Sequence, residues 1–255
     1  MASKNLVIIP TYNEKNNIEK LISNILAYKE NYDILIVDDN SPDGTADIVQ
    51  ALINNQSTQR IFLKQRPKKL GLGTAYILGF KFALEQSYDF IFQIDADFSH
   101  NPDDLFFLYK QTQDQNTHVT IGSRYINGIS IVNWPIQRLL LSYFAGVYIR
   151  FITRMRIMDP TAGYVCFRRE VLEQIPFEKI KFKGYAFQIE MKFITLLYGF
   201  NIAEIPIIFT ERTIGKSKMS NNIVLEAFLG VLSIPLLHFP MLIKKIKKNL
   251  FLSFK

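Results

Sequence analysis

Asp95 and Asp97 close the apolar run Phe90-Ile91-Phe92-Gln93-Ile94 and are separated only by Ala96. Carboxylates at i and i+2 on a strand end, with a small residue between them to permit close approach, offer hard oxygen ligands to a divalent cation. Mg²⁺ or Mn²⁺ on Asp95 and Asp97 could bridge a diphosphate. A bare Asp-x-Asp is also a common turn and helix-start signal, so the chemistry needs a second support. Asp38 and Asp39 supply one, since they end another apolar run, Ile34-Leu35-Ile36-Val37. Four acids at one crevice repel each other unless a cation sits among them.

Rival chemistries fail on their spacing. Gly71-Leu72-Gly73 begins like a dinucleotide fingerprint, but the third glycine position holds Tyr76. Gly215-Lys216-Ser217 resembles the end of a phosphate loop, yet Thr210 occupies the upstream glycine position, so the backbone cradle is missing. No Gly-x-Ser-x-Gly elbow occurs. With one cysteine, Cys166, and three histidines, His100, His118 and His238, there is no plausible Cys/His zinc set and little support for a Ser/His hydrolase. The lone cysteine suits a reducing compartment. The early apolar run is too short for a signal-peptide core, which predicts no export.

These acids need a scaffold, and the chain provides a βαβ rhythm from residue 4 to about 125. Strands are expected at Lys4 to Pro10, Asp33 to Asp38, Arg60 to Lys64, Asp89 to Ile94 and from Val119 to Gly122. Helices are expected at Asn13 to Tyr28, Thr45 to Asn54, Gly73 to Gln86 and Pro102 to Thr112. The runs LVIIP, ILIVDD and FIFQID do not alternate with polar residues, so they read as central parallel strands covered on both faces. Asp43 or Thr45 can cap the helix after Ser41-Pro42-Asp43-Gly44. Ligands of open parallel sheets bind beyond the carboxyl ends of the strands, which places Asp38, Asp39, Asp95 and Asp97 along one crevice. After residue 130 come an apolar helix, Trp134 to Arg154, a second, Phe187 to Tyr198, and a strand, Ile202 to Thr210.

With 255 residues, 48% of them hydrophobic, the chain can bury a large core, which excludes disordered, collagen-like and disulfide-scaffold classes. The formal charge of +7 gathers at Arg150 to Arg156 and at Lys244, Lys245, Lys247 and Lys248. Base beside apolar sequence suits an anionic membrane surface better than nucleic acid, so no nucleic-acid partner is expected. Residues Ile223 to Phe239 are mostly apolar, but Glu226, Pro235, His238 and Pro240 argue against a crossing helix. Residues 220–255 therefore read as an amphipathic, membrane-associating segment following a catalytic domain over residues 1–219.

The ordered segments Pro10-Thr11-Tyr12-Asn13-Glu14, Val37 to Thr45, Gly71 to Ala75, Asp95-Ala96-Asp97, Gly122-Ser123-Arg124-Tyr125 and Glu211-Arg212 through Lys218-Met219 resemble the family-2 glycosyltransferases of GT-A fold. More narrowly, they resemble the dolichyl or polyprenyl phosphate mannose synthases. The resemblance implies a Rossmann-like three-layer α/β/α architecture with a mostly parallel sheet. It implies that Pro10, Tyr12, Glu14, Val37 and Asp39 hold the nucleoside end of GDP-mannose. Asp95, Ala96 and Asp97 would meet ribose and metal, with Asp97 favoured for direct coordination. Arg212 and Lys218 would fold over the nucleotide and neutralise the departing diphosphate; removal of Arg212 is expected to cost catalysis about 2 to 4 kcal/mol. Arg124, Arg138 and Ser142 would receive the phosphate of a polyprenyl or dolichyl acceptor, with Arg124 also serving the donor.

A phosphate oxygen needs no strong general base. The resemblance therefore implies in-line attack on mannose C1, loss of GDP and inversion to a β-mannosyl phosphoryl polyprenol. Glu190 lies where other superfamily members place a catalytic carboxylate, or it orients its neighbours. Asp159 reads first as a turn residue. Ser99 stands where many mannose synthases of this group carry Gln, which puts a metal contact from that position in doubt. The chain is expected at the cytoplasmic face of a membrane, bound peripherally or through a small membrane partner. A UDP-sugar donor and a non-catalytic nucleotide or lipid-binding module are the alternatives.

Overall fold

The computed structural model describes residues 3–55, 59–211 and 221–240. The strands are β1 (Asn5–Thr11), β2 (Tyr32–Asp38), β3 (Ile61–Gln65), β4 (Phe90–Gln93), β5 (Val119–Ser123), β6 (Ile131–Val132), β7 (Val165–Arg168), β8 (Ile202–Pro206) and β9 (Phe209–Thr210). The α-helices are α1 (Ile18–Leu26), α2 (Thr45–Asn54), α3 (Leu72–Glu85), α4 (Asp104–Thr112), α5 (Ile136–Thr153), α6 (Arg169–Gln174), α7 (Ala186–Leu197) and α8 (Asn221–Leu237).

Seven strands form the main sheet in the order β3-β2-β1-β4-β7-β5-β8, and β6 pairs with β9 in a small second sheet. The expected central runs pair in parallel, β1 lying between β2 and β4. Successive residues of these strands serve opposite faces. Leu6, Ile8, Leu35, Val37 and Ile91 join a core with Tyr76 and Phe80 of α3 and Phe187 of α7. Val7, Ile9, Ile34, Ile36 and Phe92 join another with α1, α2 and α4. Both faces are covered, so the unbroken apolar runs have their physical reason, each buried aliphatic side chain contributing about 1.5–3 kcal/mol.

β7 breaks the parallel pattern. It runs antiparallel between β4 and β5, with Val165 opposite Gln93. A reversed strand delivers its amino end where its neighbours deliver their carboxyl ends, so residues 159–164 arrive beside Asp95. The sequence reading missed this strand and the short α6 behind it.

Two expected elements differ in the structure. The helix expected from Asn13 starts at Ile18, because Asn13 has φ +63°, a left-handed conformation that a right-handed helix cannot include. The backbone N–H groups of Asn13, Glu14 and Lys15 bond instead to Ser41 Oγ, Thr45 Oγ1 and Asp43 Oδ2, which pins the segment to the turn before α2. The strand expected over Ile202 to Thr210 divides: β8 follows β5 only as far as Pro206 beside Ser123, and β9 then crosses to β6. The N-cap of α2 is Gly44, at φ +86°, in place of the expected Asp43 or Thr45; Asp43, one residue before it, holds the turn by accepting the Thr45 backbone N–H at 3.0 Å.

A third core joins Ile149 of α5, Ile189 and Phe193 of α7, and Val231 and Ile234 of α8. The first part of the expected C-terminal segment is thus packed onto the sheet domain. Among the described residues no helix is long and apolar enough to cross a membrane. α8 continues to Leu237 with Pro235 inside it.

Candidate active site

The crevice lies at the carboxyl ends of β1, β2 and β4 and the amino end of β7. Two of its four acids are already compensated. Asp38 is fully buried and accepts from Thr11 Oγ1 at 2.8 Å, Ser41 N at 2.9 Å and Ser41 Oγ at 2.6 Å. It clamps the ends of β1 and β2. Asp39 forms a buried ion pair with Arg66. Arg66 also donates to Thr74 Oγ1 at 2.6 Å and to the Gly71 carbonyl at 3.2 Å. The ion pair with Arg66 cancels the charge of Asp39, so the repulsion among four acids that the sequence suggested is eased on the β2 side of the crevice. Arg66, which the sequence reading did not single out, ties Asp39 to the Gly71-Leu72-Gly73 segment. Gly71 has φ +100° and a β-carbon there would stand 2.9 Å from the Lys183 carbonyl, so this glycine serves a close backbone approach.

Around the expected nucleoside pocket, the Lys69 ammonium lies 4.7 Å from the centre of the Tyr12 ring. Glu14 accepts from Asn17 Nδ2 at 3.0 Å. Pro10 is half-buried, but Val37 is fully buried between β1 and β3 with its side chain in the core, so the structure does not present it to the pocket the resemblance implied.

Asp95 and Asp97 are half-buried on either side of buried Ala96. Asp97 Oδ1 accepts from Ser99 N at 3.0 Å and Ser99 Oγ at 2.6 Å. Ser99 thus orients Asp97. Burial, reinforced by Asp95, holds the Tyr76 phenol far above its ordinary pKa. Among the described residues no group of three or more His, Cys, Asp or Glu gathers as a metal cluster. A divalent ion here would rest on two carboxylates and on oxygens from outside the protein, a donor set that fits a hard cation. His100 is buried between Tyr164 and Phe209, with ring centres 4.9 and 5.1 Å away. Burial lowers its pKa to about 4 against the pull of Asp97, so it is neutral at pH 7.

The expected acceptor residues do converge. Arg138 stacks 4.0 Å over the Trp134 ring, Arg124 lies 5.7 Å from the same ring, and Ser142 bonds the Tyr125 hydroxyl at 2.8 Å. Each arginine already holds a carboxylate. Arg124 forms a bidentate pair with fully buried Asp159, 2.7 Å on both arms, and donates to Thr161 Oγ1 at 2.7 Å. Burial would raise the Asp159 pKa, but Arg124 overrides it and keeps the carboxyl below its usual range. Asp159 is therefore the fixed counter-ion of Arg124 and more than the turn residue its sequence suggested. Arg138 binds both oxygens of partly exposed Glu211 at 2.5 Å.

Behind the turn at 159–163, fully buried Lys192 donates to the Ala162 carbonyl at 2.6 Å. Burial lowers its pKa to about 7, with Asp159 pulling the other way. The Glu204 carboxylate accepts the backbone N–H groups of Met158 and Asp159 at 2.7 and 2.9 Å. Sequence reasoning missed Lys192 and Glu204, since only the fold buries them against this turn. Glu190 is occupied elsewhere: it accepts the Lys181 and Phe182 backbone N–H groups and faces His238 Nε2 at 2.8 Å. It orients its neighbours and docks the C-terminal segment. Arg212 and Lys218 lie outside the described residues, although the Thr210 N–H bonds the Ser99 carbonyl at 3.1 Å and so starts their segment beside Asp97.

A model of the family described as glycosyl transferase family 2 matches residues 6–176. Over 230 residues the chain is 42% identical to a polyprenol monophosphomannose synthase from Mycolicibacterium smegmatis, covering 90% of this chain and 86% of that protein. It is 39% identical to an undecaprenyl-phosphate mannosyltransferase from Micrococcus luteus, covering 89% and 91% of the two chains. Among solved structures, glucosyl-3-phosphoglycerate synthase from Mycobacterium tuberculosis with Mn²⁺, UDP-glucose and glycerol 3-phosphate is similar at TM-score 0.63 and 17% identity, over 92% of this chain and 79% of that one. A mannosyltransferase from Pyrobaculum calidifontis with GDP-mannose and Mn²⁺ is similar at TM-score 0.55 and 17% identity, over 97% and 74%. These two likenesses bear on the fold alone.

Proposed function

The chain belongs to glycosyl transferase family 2, and from that premise we propose that it transfers mannose from GDP-mannose to a polyprenyl phosphate at a membrane surface. The observation that carries the reading is the convergence of Arg124, Arg138 and Ser142 around Trp134 and Tyr125, at the foot of an exposed apolar helix. Paired guanidiniums suit a phosphate, and the helix suits the chain attached to it. On α5, Ile136, Leu140, Phe144 and Phe151 are exposed, and on α8 so are Leu229 and Leu236. The two helices meet where Tyr148 stacks on Phe228 at 4.3 Å. With Arg154 and Arg156 exposed at one end of α5, this surface suits peripheral binding to anionic lipid. The lone cysteine favours the reducing, cytoplasmic side. The names of the two curated relatives support the same substrate class.

The mechanism needs few groups. The acceptor phosphate, already anionic, displaces Glu211 from Arg138 and lies against Ser142. One of its oxygens attacks mannose C1 from the side opposite the diphosphate. The C1–O bond breaks, its electron pair leaves with GDP, and the anomeric centre inverts. Asp159 keeps Arg124 aimed and Ser99 keeps Asp97 aimed, so little reorganisation remains for the transition state. Mg²⁺ or Mn²⁺ held by Asp95 and Asp97 would supply positive charge at the diphosphate. Arg212 and Lys218 are the protein's own cations for that charge.

The test is product analysis with vesicles containing polyprenyl phosphate, radiolabelled GDP-mannose and Mg²⁺. An acid-labile mannolipid is expected. Transfer from UDP-sugars alone would replace the donor, and no transfer from any nucleotide sugar would reject the reading.

A further inference from the structure

Gln188, in the first turn of α7, is 4% exposed, and neither its Nε2 nor its Oε1 has a hydrogen-bond partner among the described residues. Such amides are rare, because each buried donor and acceptor gives up water without replacement. Packing does not ask for glutamine here. Phe187, Ile189 and Met191 supply the apolar contacts of this part of α7. The Lys192 ammonium meets Gln188 through the backbone carbonyl, which any residue would provide.

The surroundings indicate what the amide faces. A β-carbon added to Gly163 would lie 3.8 Å from Gln188 Nε2 and 4.0 Å from Asp95 Oδ2. Gly163 is partly exposed and is not among the left-handed residues, so its backbone does not require glycine. What the missing side chain leaves is a gap with an amide on one side and the first acid of the metal pair on the other. A sugar hydroxyl, donor and acceptor at once, satisfies an amide and a carboxylate together.

We infer that Gly163, Gln188 and Asp95 form the wall that reads the donor hexose, with the Gln188 amide bonding a ring hydroxyl. The inference rests on the nucleotide-sugar reading above and assigns the part of the donor beyond its diphosphate. Gly163 leaves the space, Asp95 is shared with the metal pair, and Gln188 is the specificity-determining residue.

Calorimetric titration of the full chain in Mg²⁺ tests this with GDP-mannose and GDP as paired probes. Gln188→Met removes the amide at similar volume, and Gly163→Ala puts one methyl into the gap at ordinary contact distance. Both variants are expected to bind GDP within about twofold of wild type and GDP-mannose on the order of tenfold more weakly, the worth of one good hydrogen bond. Their preference for GDP-mannose over GDP-glucose is expected to narrow alongside. Equal losses for GDP and GDP-mannose, or no loss for either, overturn the assignment. If Gln188→Met does not fold, Gly163→Ala decides alone. If wild type binds UDP-glucose and not GDP-mannose, the donor reading falls and the same variants are titrated with UDP-glucose against UDP. Binding of neither sugar nucleotide by wild type overturns both.

Discussion

At the site, charge is balanced residue by residue, and the balance has measurable costs. Asp159 and Arg124 are both buried, and the pair is bidentate. Asp159→Asn leaves a buried guanidinium without its counter-charge, and a denaturant melt should register a loss of about 3 to 5 kcal/mol. Lys192 gives a different signature. Its folded pKa, about 7, lies below the ordinary 10.5, so between those values the unfolded chain holds a proton that the folded chain has released. Stability therefore rises with pH across that window, and below it the cost of a buried ammonium is fully present. Lys192→Met should flatten the slope of unfolding free energy against pH between about 7 and 10, measured by urea melts beside wild type. Asp38, Asp39, Asp95, Asp97, Arg124 and Arg138 were legible as a group because their types and order stand in the sequence. Arg66, Lys192, Glu204 and Gln188 were not, since each looks like a surface residue until distant elements close over it.

Elements were legible where local pattern matches final environment. α2 spans Thr45–Asn54, as the turn chemistry around Asp43 predicts, and the three unbroken apolar runs became β1, β2 and β4. β7 has no comparable local mark. Its place between β4 and β5 depends on pairing with two strands far away in sequence. The same limit hid the division between β8 and β9, which depends on where β5 stops. α5 is the element whose sequence and structure agree on an exposed apolar side: Phe144 and Phe151 are 61% and 67% exposed. Placing Asp at both positions should leave the melting temperature unchanged and weaken sedimentation with anionic vesicles at least tenfold, given about 1.5–3 kcal/mol for burying each phenylalanine. Unchanged sedimentation would remove α5 from the membrane surface.

Across the whole molecule, the reversed strand and the docked C-terminal helix complete what a parallel half-sheet begins. The parallel strands bring Asp38, Asp39, Asp95 and Asp97 to one edge, and β7 carries the Asp159 turn and Gly163 to the same edge. Val231 and Ile234 of α8 are nearly sealed against α5 and α7, and His238 meets Glu190 within the fold. The acidic edge and the exposed apolar side of α5 and α8 are thus joined through shared packing. On the proposed reading, that packing sets the acidic edge at one height above the lipid headgroups, where it meets the phosphate and not the isoprene units that trail beneath. Short and long polyprenyl phosphates, matched in vesicle density, should turn over at similar rates, and a steep dependence on tail length would show that the protein grips the buried end as well.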